Sequence, residues 1–334
     1  MLHEIELGRS GLRAPVIGFG CAALLGRTGK RDSLRALSAA WDEGIRFFDT
    51  ARSYGYGESE ALLGAFLKDR RGQALVATKF GILPAPQSSL KWMAKSAARS
   101  LISMVPSARS LVRKAAGTQF SPNQFTIPVL QQSIEESLRK LGTHYVDILF
   151  LHSAPSSVLE QQDLLGAMGR LVDQGKVRLA GLSGDPSVVQ KALERQTEPL
   201  RAMQFPCNVF DLSSALGLVE KSTAEMLLAA NHPFGGVARV QACRSILRRL
   251  SATPHIDPVL KEKLGTIDDQ TLAEIVFDCI LRDTGIHLVI PSMMRVDHVR
   301  ANVRAATHSR FTSAEVQIIR DSLSAEHSLP ASAQ

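Results

Sequence analysis

The feature that most constrains the fold is a regular alternation of short apolar runs with longer segments of helical periodicity. The apolar runs predict eight buried strands, at residues 16–20, 45–48, 74–78, 146–151, 177–182, 202–205, 226–230 and 287–290. Helical spacing of apolar residues occurs at 32–44, 59–67, 129–141, 158–174, 187–195, 237–250, 272–282, 296–306 and 313–323. Strands that alternate with helices are typical of a parallel sheet with helices packed outside it.

Eight such units predict an α/β fold, specifically a (β/α)8 TIM barrel. The chain has 334 residues, which suits one such barrel, and no change of composition marks a boundary. We therefore expect a single domain over residues 1–334. A doubly wound sheet is the alternative, but no GxGxxG sequence follows the first strand. Ahead of that strand, residues 5–7 and 14–17 flank a Gly-rich turn and predict a β-hairpin.

A long segment after the third strand, residues 84–121, interrupts this alternation. It contains no acidic residue, and its basic residues are Lys91, Lys95, Arg99, Arg109, Arg113 and Lys114. A segment of this length without regular structure is either a solvated surface loop or a functional one. In the second case it would form a wall of the substrate cleft and favour anionic substrates or an acidic partner. Both interpretations remain open at this point.

The charge distribution argues against nucleic acid as a partner. The net charge is +7, but segment 84–121 alone carries most of it and the remainder is nearly neutral. Aromatic residues make up only 5% of the chain, which leaves few platforms for stacking single-stranded bases. No run reaches the roughly 18–20 apolar residues that a membrane span needs. We expect neither a nucleic-acid partner nor a membrane span, and the sequence does not indicate an oligomeric state.

Cysteine usage and the first residues favour a cytoplasmic location. The first residues lack the basic and apolar stretches of a secretory signal. The cysteines are scattered without CxxC spacing, at Cys21, Cys207, Cys243 and Cys279. Neither a disulfide framework nor a zinc site is indicated, and no metal ligand set is expected.

Titratable side chains follow three consecutive predicted strands. Asp49 ends the second strand, Lys79 follows the third and His152 follows the fourth, while Tyr54 lies in the loop beyond Asp49. Each has an ordinary structural interpretation by itself, such as a solvated lysine or a core histidine. Because the carboxyl ends of neighbouring barrel strands share one face, we expect these four side chains to converge.

Convergence would equip the site for carbonyl chemistry. A free tyrosine has a pKa of about 10, and a neighbouring cation lowers it and eases proton transfer to a developing alkoxide. Lys79 can supply the cation, Asp49 can hold Lys79 in place, and His152 can orient the carbonyl oxygen. These groups suit hydride addition to C=O with the hydride supplied by a cofactor. The alternative is a barrel aldolase in which Lys79 forms a Schiff base.

The motifs DTA at 49–51 and YGYGESEALLG at 54–64 resemble the signature of the aldo-keto reductases. The resemblance implies a catalytic tetrad of Asp49, Tyr54, Lys79 and His152 and a nicotinamide cofactor. The implied substrate is a small carbonyl compound or a sugar. The form of these motifs looks more like the bacterial sugar-dehydrogenase and general reductase branches, which hints at sugar or lactol substrates.

The same resemblance implies a set of cofactor-binding positions: Ser183, Gln204, Phe234, Gly235, Ser292, Arg295, His298 and Asn302. Two positions depart from the family pattern. Ser183 is followed by Gly184 where the family has Asn, and Asn231 stands where the family has an aromatic residue that stacks on the nicotinamide. Phe234 is the candidate to replace that aromatic residue. These departures make a non-catalytic nicotinamide-binding subunit a third functional alternative.

The choice between NADP and NAD depends on the residues near Arg295. A guanidinium matches phosphate geometry in a bidentate manner, so Arg295 can meet the 2′-phosphate of NADP. The NADP-preferring pattern has a lysine after Pro291 and an arginine in place of His298, and neither is present. We favour NADP, with NAD as the alternative.

Overall fold

The computed structural model describes residues 4–26, 28–84, 120–121 and 123–327. Its strands are β1 Glu4–Glu6, β2 Arg13–Pro15, β3 Phe19–Gly20, β4 Phe47–Asp49, β5 Leu75–Phe80, β6 Leu83–Pro84, β7 Phe120–Ser121, β8 Val146–His152, β9 Val177–Ser183, β10 Leu200–Pro206, β11 Leu227–Asn231 and β12 Leu288–Ile290. Its α-helices are Lys30–Asp42, Ser59–Leu67, Ile127–Leu141, Gln162–Asp173, Pro186–Glu194, Leu212–Glu220, Val237–Ser251, Pro258–Lys263, Asp269–Leu281, Val296–Thr307 and Ser313–His327.

Eight strands form one parallel sheet in the order β3-β4-β5-β8-β9-β10-β11-β12. The two edges meet through a parallel bridge between Ile17 and Val289. The Gly18 amide donates to the Val289 carbonyl at 2.9 Å, and the Val289 amide donates to the Val16 carbonyl at 2.9 Å. The sheet is therefore closed, and the predicted (β/α)8 barrel is confirmed.

Side-chain alternation along the strands divides the core into two layers. One cluster fills the barrel and includes Phe47, Ala77, Phe150 and Leu227. The residues between them, such as Phe48, join a larger cluster between the strands and the surrounding helices. The interior of the barrel is a packed core, so any site must lie at one of its ends.

The amino-terminal hairpin covers one end of the barrel. β1 and β2 pair antiparallel, with Ile5 opposite Ala14, which confirms the predicted hairpin. Leu7, Leu12 and Ala14 pack in the same cluster as the barrel interior. The carboxyl ends of the strands lie at the opposite end.

Local signals fix several helix bounds. The Thr126 hydroxyl accepts from the Val129 amide at the start of Ile127–Leu141, and Gly142 ends that helix with φ of 65° in the left-handed region. The helix predicted at 158–174 begins later, at Gln162, because residues Ser156–Glu160 form a separate 3₁₀ turn. The helices Leu212–Glu220 and Pro258–Lys263 were not predicted.

The insertion after the third barrel strand is described only at its two ends. β6 and β7 pair antiparallel, with Pro84 opposite Phe120, so the chain leaves and re-enters the barrel through a two-stranded ladder. Residues 85–119, with the basic residues predicted to face substrate, lie outside the described residues. Within the described ranges, no helix combines the length and apolar character needed to cross a bilayer.

Candidate active site

Polar residues from six consecutive barrel strands share the inner face at the carboxyl end. The residues two positions earlier on several of these strands, such as Phe47, Ala77 and Ala229, belong to the interior cluster. Because alternate residues of a strand face the same side, the strand-end residues point inward as well. They are Asp49 of β4, Lys79 of β5, His152 of β8, Ser183 of β9, Gln204 of β10 and Asn231 of β11.

Asp49 and Lys79 form a buried ion pair at the centre of this face. The Lys79 Nζ donates to Asp49 Oδ1 at 2.6 Å and to the Thr50 carbonyl at 2.9 Å. The lysine side chain is 1% exposed, so its charge is held by these partners rather than by water. The sequence pattern had placed both residues here, whereas the contribution of the Thr50 carbonyl has no sequence signal.

The pKa of Lys79 lies above its ordinary value. Burial alone would lower it, but the charges of Asp49 and Tyr54 and their hydrogen-bonding interactions with the amine together raise it. Lys79 is therefore a stable cation. A Schiff-base lysine must be neutral to attack a carbonyl, so this environment disfavours the aldolase alternative.

A glycine-rich turn presents Tyr54 to this pair. Tyr54 begins a short 3₁₀ segment in which Gly55 has φ of 57° and Gly57 has φ of 90°. A Cβ atom at Gly55 would lie 2.7 Å from the Leu24 carbonyl oxygen. Gly55 is thus needed for the close approach of this turn to Leu24, and Gly57 for its left-handed backbone conformation.

Tyr54 lies beside both Lys79 and His152. Lys79 Nζ is 5.0 Å from the centroid of the Tyr54 ring, and the Tyr54 and His152 rings meet edge to face at 5.8 Å. The pKa of Tyr54 is nevertheless above its ordinary value, because burial outweighs the opposing effect of Lys79. The neighbouring cation alone would lower this pKa, so the direction differs from the one expected from the sequence.

His152 is a neutral imidazole. Burial, followed by the nearby charge of Lys79, lowers its pKa to about 3. Its Nδ1 atom is buried and has no hydrogen-bond partner among the described residues. A neutral imidazole keeps one N–H group, which can donate to a carbonyl oxygen.

Ser183 and Gln204 connect to the ion pair through a short hydrogen-bond chain. The Ser183 hydroxyl donates to Gln204 Oε1 at 2.5 Å, and Gln204 Nε2 donates to Asp49 Oδ1 at 3.1 Å. Both side chains are buried. The structure thus joins two of the sequence-predicted cofactor positions to the predicted catalytic residues.

A second group of predicted residues surrounds a cavity of about 200 Å³. Phe234, Ser292, His298 and Asn302 line this cavity together with Leu272. The Phe234 ring packs on Phe277 with centroids 5.9 Å apart. A nicotinamide-stacking role for Phe234 stays a prediction.

The two remaining predicted cofactor residues lie at helix N-termini. Gly235 has φ of 63° and stands just before the helix Val237–Ser251, whose N-cap is Gly236. Arg295 is the N-cap of Val296–Thr307, and it forms an ion pair with Asp297 at 3.4 Å in which both side chains are exposed. Helix N-termini favour anions such as phosphate, which gives both positions a physical basis.

Known proteins with similar sequences include enzymes named as aldo-keto reductases and sugar dehydrogenases. The chain is 29% identical over 216 residues to aldo-keto reductase YhdN of Bacillus subtilis, a match that covers 63% of this chain and 55% of that protein. It is 32% identical over 210 residues to D-threo-aldose 1-dehydrogenase of a Pseudomonas species, covering 58% and 56%. The matched part thus spans about half the length of these two curated relatives.

Solved structures and a family model extend the match over nearly the whole chain. The crystal structure of an aldo-keto reductase from Klebsiella pneumoniae in complex with NADPH superposes with a TM-score of 0.65 at 20% identity, covering 96% of this chain and 95% of the other. The sequence model of the Aldo/keto reductase family matches residues 16–324. The chain belongs to the aldo/keto reductase family.

Proposed function

We propose that the protein is an NAD(P)H-dependent oxidoreductase that transfers a hydride between the cofactor and an aldehyde or ketone. In the reverse direction it would act on an alcohol or on the lactol of a sugar. The observation that carries this proposal is the buried Asp49–Lys79 pair, with Lys79 Nζ 5.0 Å from the ring centroid of Tyr54. Family membership supports the same chemistry.

The proposed mechanism assigns one role to each residue of the tetrad. Tyr54, protonated because its pKa is raised, donates its phenolic proton to the oxygen of the reduced carbonyl. Lys79 stabilises the phenolate that remains, and Asp49 fixes the position of Lys79. The neutral His152 donates a hydrogen bond that orients the substrate oxygen before reaction.

The cofactor supplies the hydride when it is bound, and the residues present fit a dinucleotide. Ser183 and Gln204 offer hydroxyl and amide groups for the nicotinamide carboxamide. Gly235, whose own amide donates to the His232 carbonyl at 2.9 Å, leads into the helix Val237–Ser251, whose first-turn amides can bind phosphate. At the other end, Ser292, His298 and Asn302 line one cavity, with Arg295 at the start of the same helix as His298.

We propose NADP as the preferred cofactor, with NAD as the alternative. Arg295 supports this preference because its exposed pair with Asp297 at 3.4 Å holds it only weakly. A guanidinium released from such a pair can bind the 2′-phosphate. The NADPH complex of the Klebsiella relative is a further support.

The proposed substrates are small aldehydes, ketones or sugars. The relative named D-threo-aldose 1-dehydrogenase supports sugars. An anionic substrate would follow if segment 84–121 faces the cleft, since its basic residues carry no acidic counterpart.

Turnover tests the proposal directly. Purified protein is incubated with NADPH and either nitrobenzaldehyde or a panel of aldoses, and the loss of reduced nicotinamide absorbance is followed. We expect aldehyde-dependent oxidation of NADPH. Binding of NADPH without turnover of any carbonyl would instead support the non-catalytic subunit. Trapping of substrate on Lys79 by borohydride would support the aldolase.

Two further proposals concern the whole chain. We propose that residues 1–334 fold as one domain with 84–121 as an insertion, which is supported by the pairing of Leu83 with Ser121 at its two ends.

We also propose a cytoplasmic location, because all four cysteines are free and buried thiols.

A further inference from the structure

Among the six polar residues at the carboxyl end of the barrel named above, Asn231 alone has no role in the proposed tetrad or in the hydrogen-bond chain. It ends β11, and Leu227 and Ala229, which share its side of the strand, belong to the barrel interior. Its Oδ1 atom is buried and has no hydrogen-bond partner among the described residues. A buried acceptor without a partner destabilises a folded protein, and this one lies on the inner face at the end of the barrel where a ligand can satisfy it.

The neighbours of Asn231 explain why no protein group satisfies it. In the parallel registers on either side, Asn231 is opposite Pro206 of β10 and Ile290 of β12. Neither side chain carries a hydrogen-bond donor. The Asn231 backbone carbonyl is already engaged, since it accepts from the Cys207 amide at 3.0 Å. The side-chain oxygen is left open.

The neighbouring strand ends indicate which donor the Asn231 side-chain oxygen meets. On β10, Gln204 already accepts from Ser183 and donates to Asp49, so much of its capacity is used within the protein. Gly184, which follows Ser183, has no side chain to offer. A carboxamide NH₂ group bound beside Ser183 and Gln204 therefore needs a further acceptor, and the Asn231 oxygen lies on the next strand of the same inner face.

We propose that Asn231 is a cofactor-binding residue whose Oδ1 accepts a hydrogen bond from the carboxamide NH₂ of the nicotinamide. This inference depends on the proposed function, because it requires a nicotinamide cofactor. It predicts that the protein distinguishes a nicotinamide dinucleotide from an analogue that lacks the NH₂ group. A site built around such a donor rejects the analogue that cannot supply it.

The test compares dissociation constants for NADP⁺ and its 3-acetylpyridine analogue, in which a methyl group replaces the NH₂ group. We expect the wild-type protein to bind NADP⁺ about tenfold more tightly in titration calorimetry without substrate. Asn231→Leu should bind the two within about twofold of each other, since it removes the acceptor at similar volume. Asn231→Ala repeats the test if the leucine variant does not fold, as judged by thermal melting.

Thr197→Val is the matched control, because Thr197 Oγ1 is also buried without a partner among the described residues but precedes β10 at the other end of the barrel. Its preference for NADP⁺ should equal that of the wild type. An equal preference in the Asn231 variants and the wild type would overturn the inference and leave the proposed function intact. If the wild type binds neither NADP⁺ nor its analogue, and also binds neither NADH nor NADPH, both the inference and the proposed function are contradicted.

Discussion

The barrel carries a buried aspartate ion pair at each end, and the two differ in the polar groups that surround them. At the amino end, Asp147 of β8 accepts from Arg71 at 2.9 Å, from Arg178 at 3.1 Å and from the Val76 amide at 2.8 Å. Both of its oxygens are used, and the surrounding groups are guanidinium and backbone. Arg71 Nε is buried without a partner among the described residues, but the same guanidinium also donates to the Ala74 carbonyl at 2.7 Å.

At the carboxyl end, the Asp49–Lys79 pair is equally buried but is surrounded by groups with unused hydrogen-bonding capacity. His152 Nδ1 and Asn231 Oδ1 are buried without partners among the described residues. His152 and Asn231 both lie at the carboxyl ends of barrel strands, whereas the unpaired donor at the amino end is part of the ion pair itself. The comparison teaches that burial of a charge pair alone does not mark function, whereas unpaired polar groups from separate strands at one barrel end indicate a ligand site.

The largest expected effect comes from removing the Tyr54 hydroxyl. Tyr54→Phe should reduce kcat for aldehyde reduction by about a hundredfold to ten-thousandfold, because the proton donor is lost. The dissociation constant for NADPH and the urea midpoint should stay near the wild-type values.

Tyr145→Phe is the control at the amino end, where the Tyr145 ring lies 4.2 Å from the Arg71 guanidinium carbon. It should leave kcat unchanged. Equal activity of the Tyr54 variant and the wild type would contradict the assignment of function to the carboxyl end of the barrel.

Removing the amino-end carboxylate should lower the stability of the protein, whereas removing the Tyr54 hydroxyl lowers its activity. Asp147→Ala leaves Arg71, which is largely buried, without its carboxylate and the Val76 amide without its acceptor. We expect the free energy of unfolding to fall by about 3–5 kcal/mol, as for other buried pairs that lose one member. Urea denaturation measures this, with the exposed Asp69→Ala as control. A variant of wild-type stability would contradict the structural role of this pair.

The sequence predicted the barrel because its eight apolar runs and their spacing are strong, local signals. The convergence of Asp49, Lys79 and His152 was also predictable, since each follows an apolar run at the same end, and Tyr54 follows Asp49 in the next loop. The helix Leu212–Glu220 lies outside the predicted elements although Leu212, Ala215 and Leu218 have helical spacing, because a repeat over nine residues is a short signal.

Other features could not be read from the chain because they depend on packing. The net direction of the Tyr54 pKa results from burial against the charge of Lys79, and only coordinates show which dominates. The unpaired Asn231 oxygen depends on which residues oppose it in neighbouring strands. The sequence shows that residue 231 is polar, but it does not indicate what the side-chain oxygen of Asn231 contacts.

An intermediate effect is expected from pH, through the unpaired imidazole at the carboxyl end. Burial and Lys79 lower the pKa of His152 to about 3, so below its ordinary pKa the unfolded chain binds a proton that the folded protein does not. The free energy of unfolding should therefore fall as the pH falls from about 6.5 towards 3, by up to about 1.4 kcal/mol per pH unit from this residue.

His152→Gln should flatten this pH dependence, as measured by urea denaturation from neutral to mildly acidic pH. The exposed His144→Gln is the control and should retain the wild-type slope. If the His152 variant keeps the full slope, another group is responsible, and the imidazole does not contribute to the difference between the two ends.

The smallest expected effect concerns an exposed ion pair, which extends the comparison from the buried ends to the surface. Arg295 and Arg300 belong to the same helical segment, and each has one exposed pair, with Asp297 at 3.4 Å and with Glu43 at 3.3 Å. Only Arg295 stands at the helix N-terminus beside the cavity residues Ser292 and His298.

Arg295→Ala should therefore weaken NADPH binding about fivefold to tenfold and leave NADH binding nearly unchanged, because a bidentate contact to the 2′-phosphate is lost. Arg300→Ala should change neither dissociation constant, and both variants should unfold at the wild-type urea concentration, since exposed pairs add little to stability. Fluorescence titration with the two reduced cofactors decides the point. An equal loss for both cofactors would contradict a contact between Arg295 and the 2′-phosphate, and tighter binding of NADH by the wild type would assign the cofactor preference to NAD.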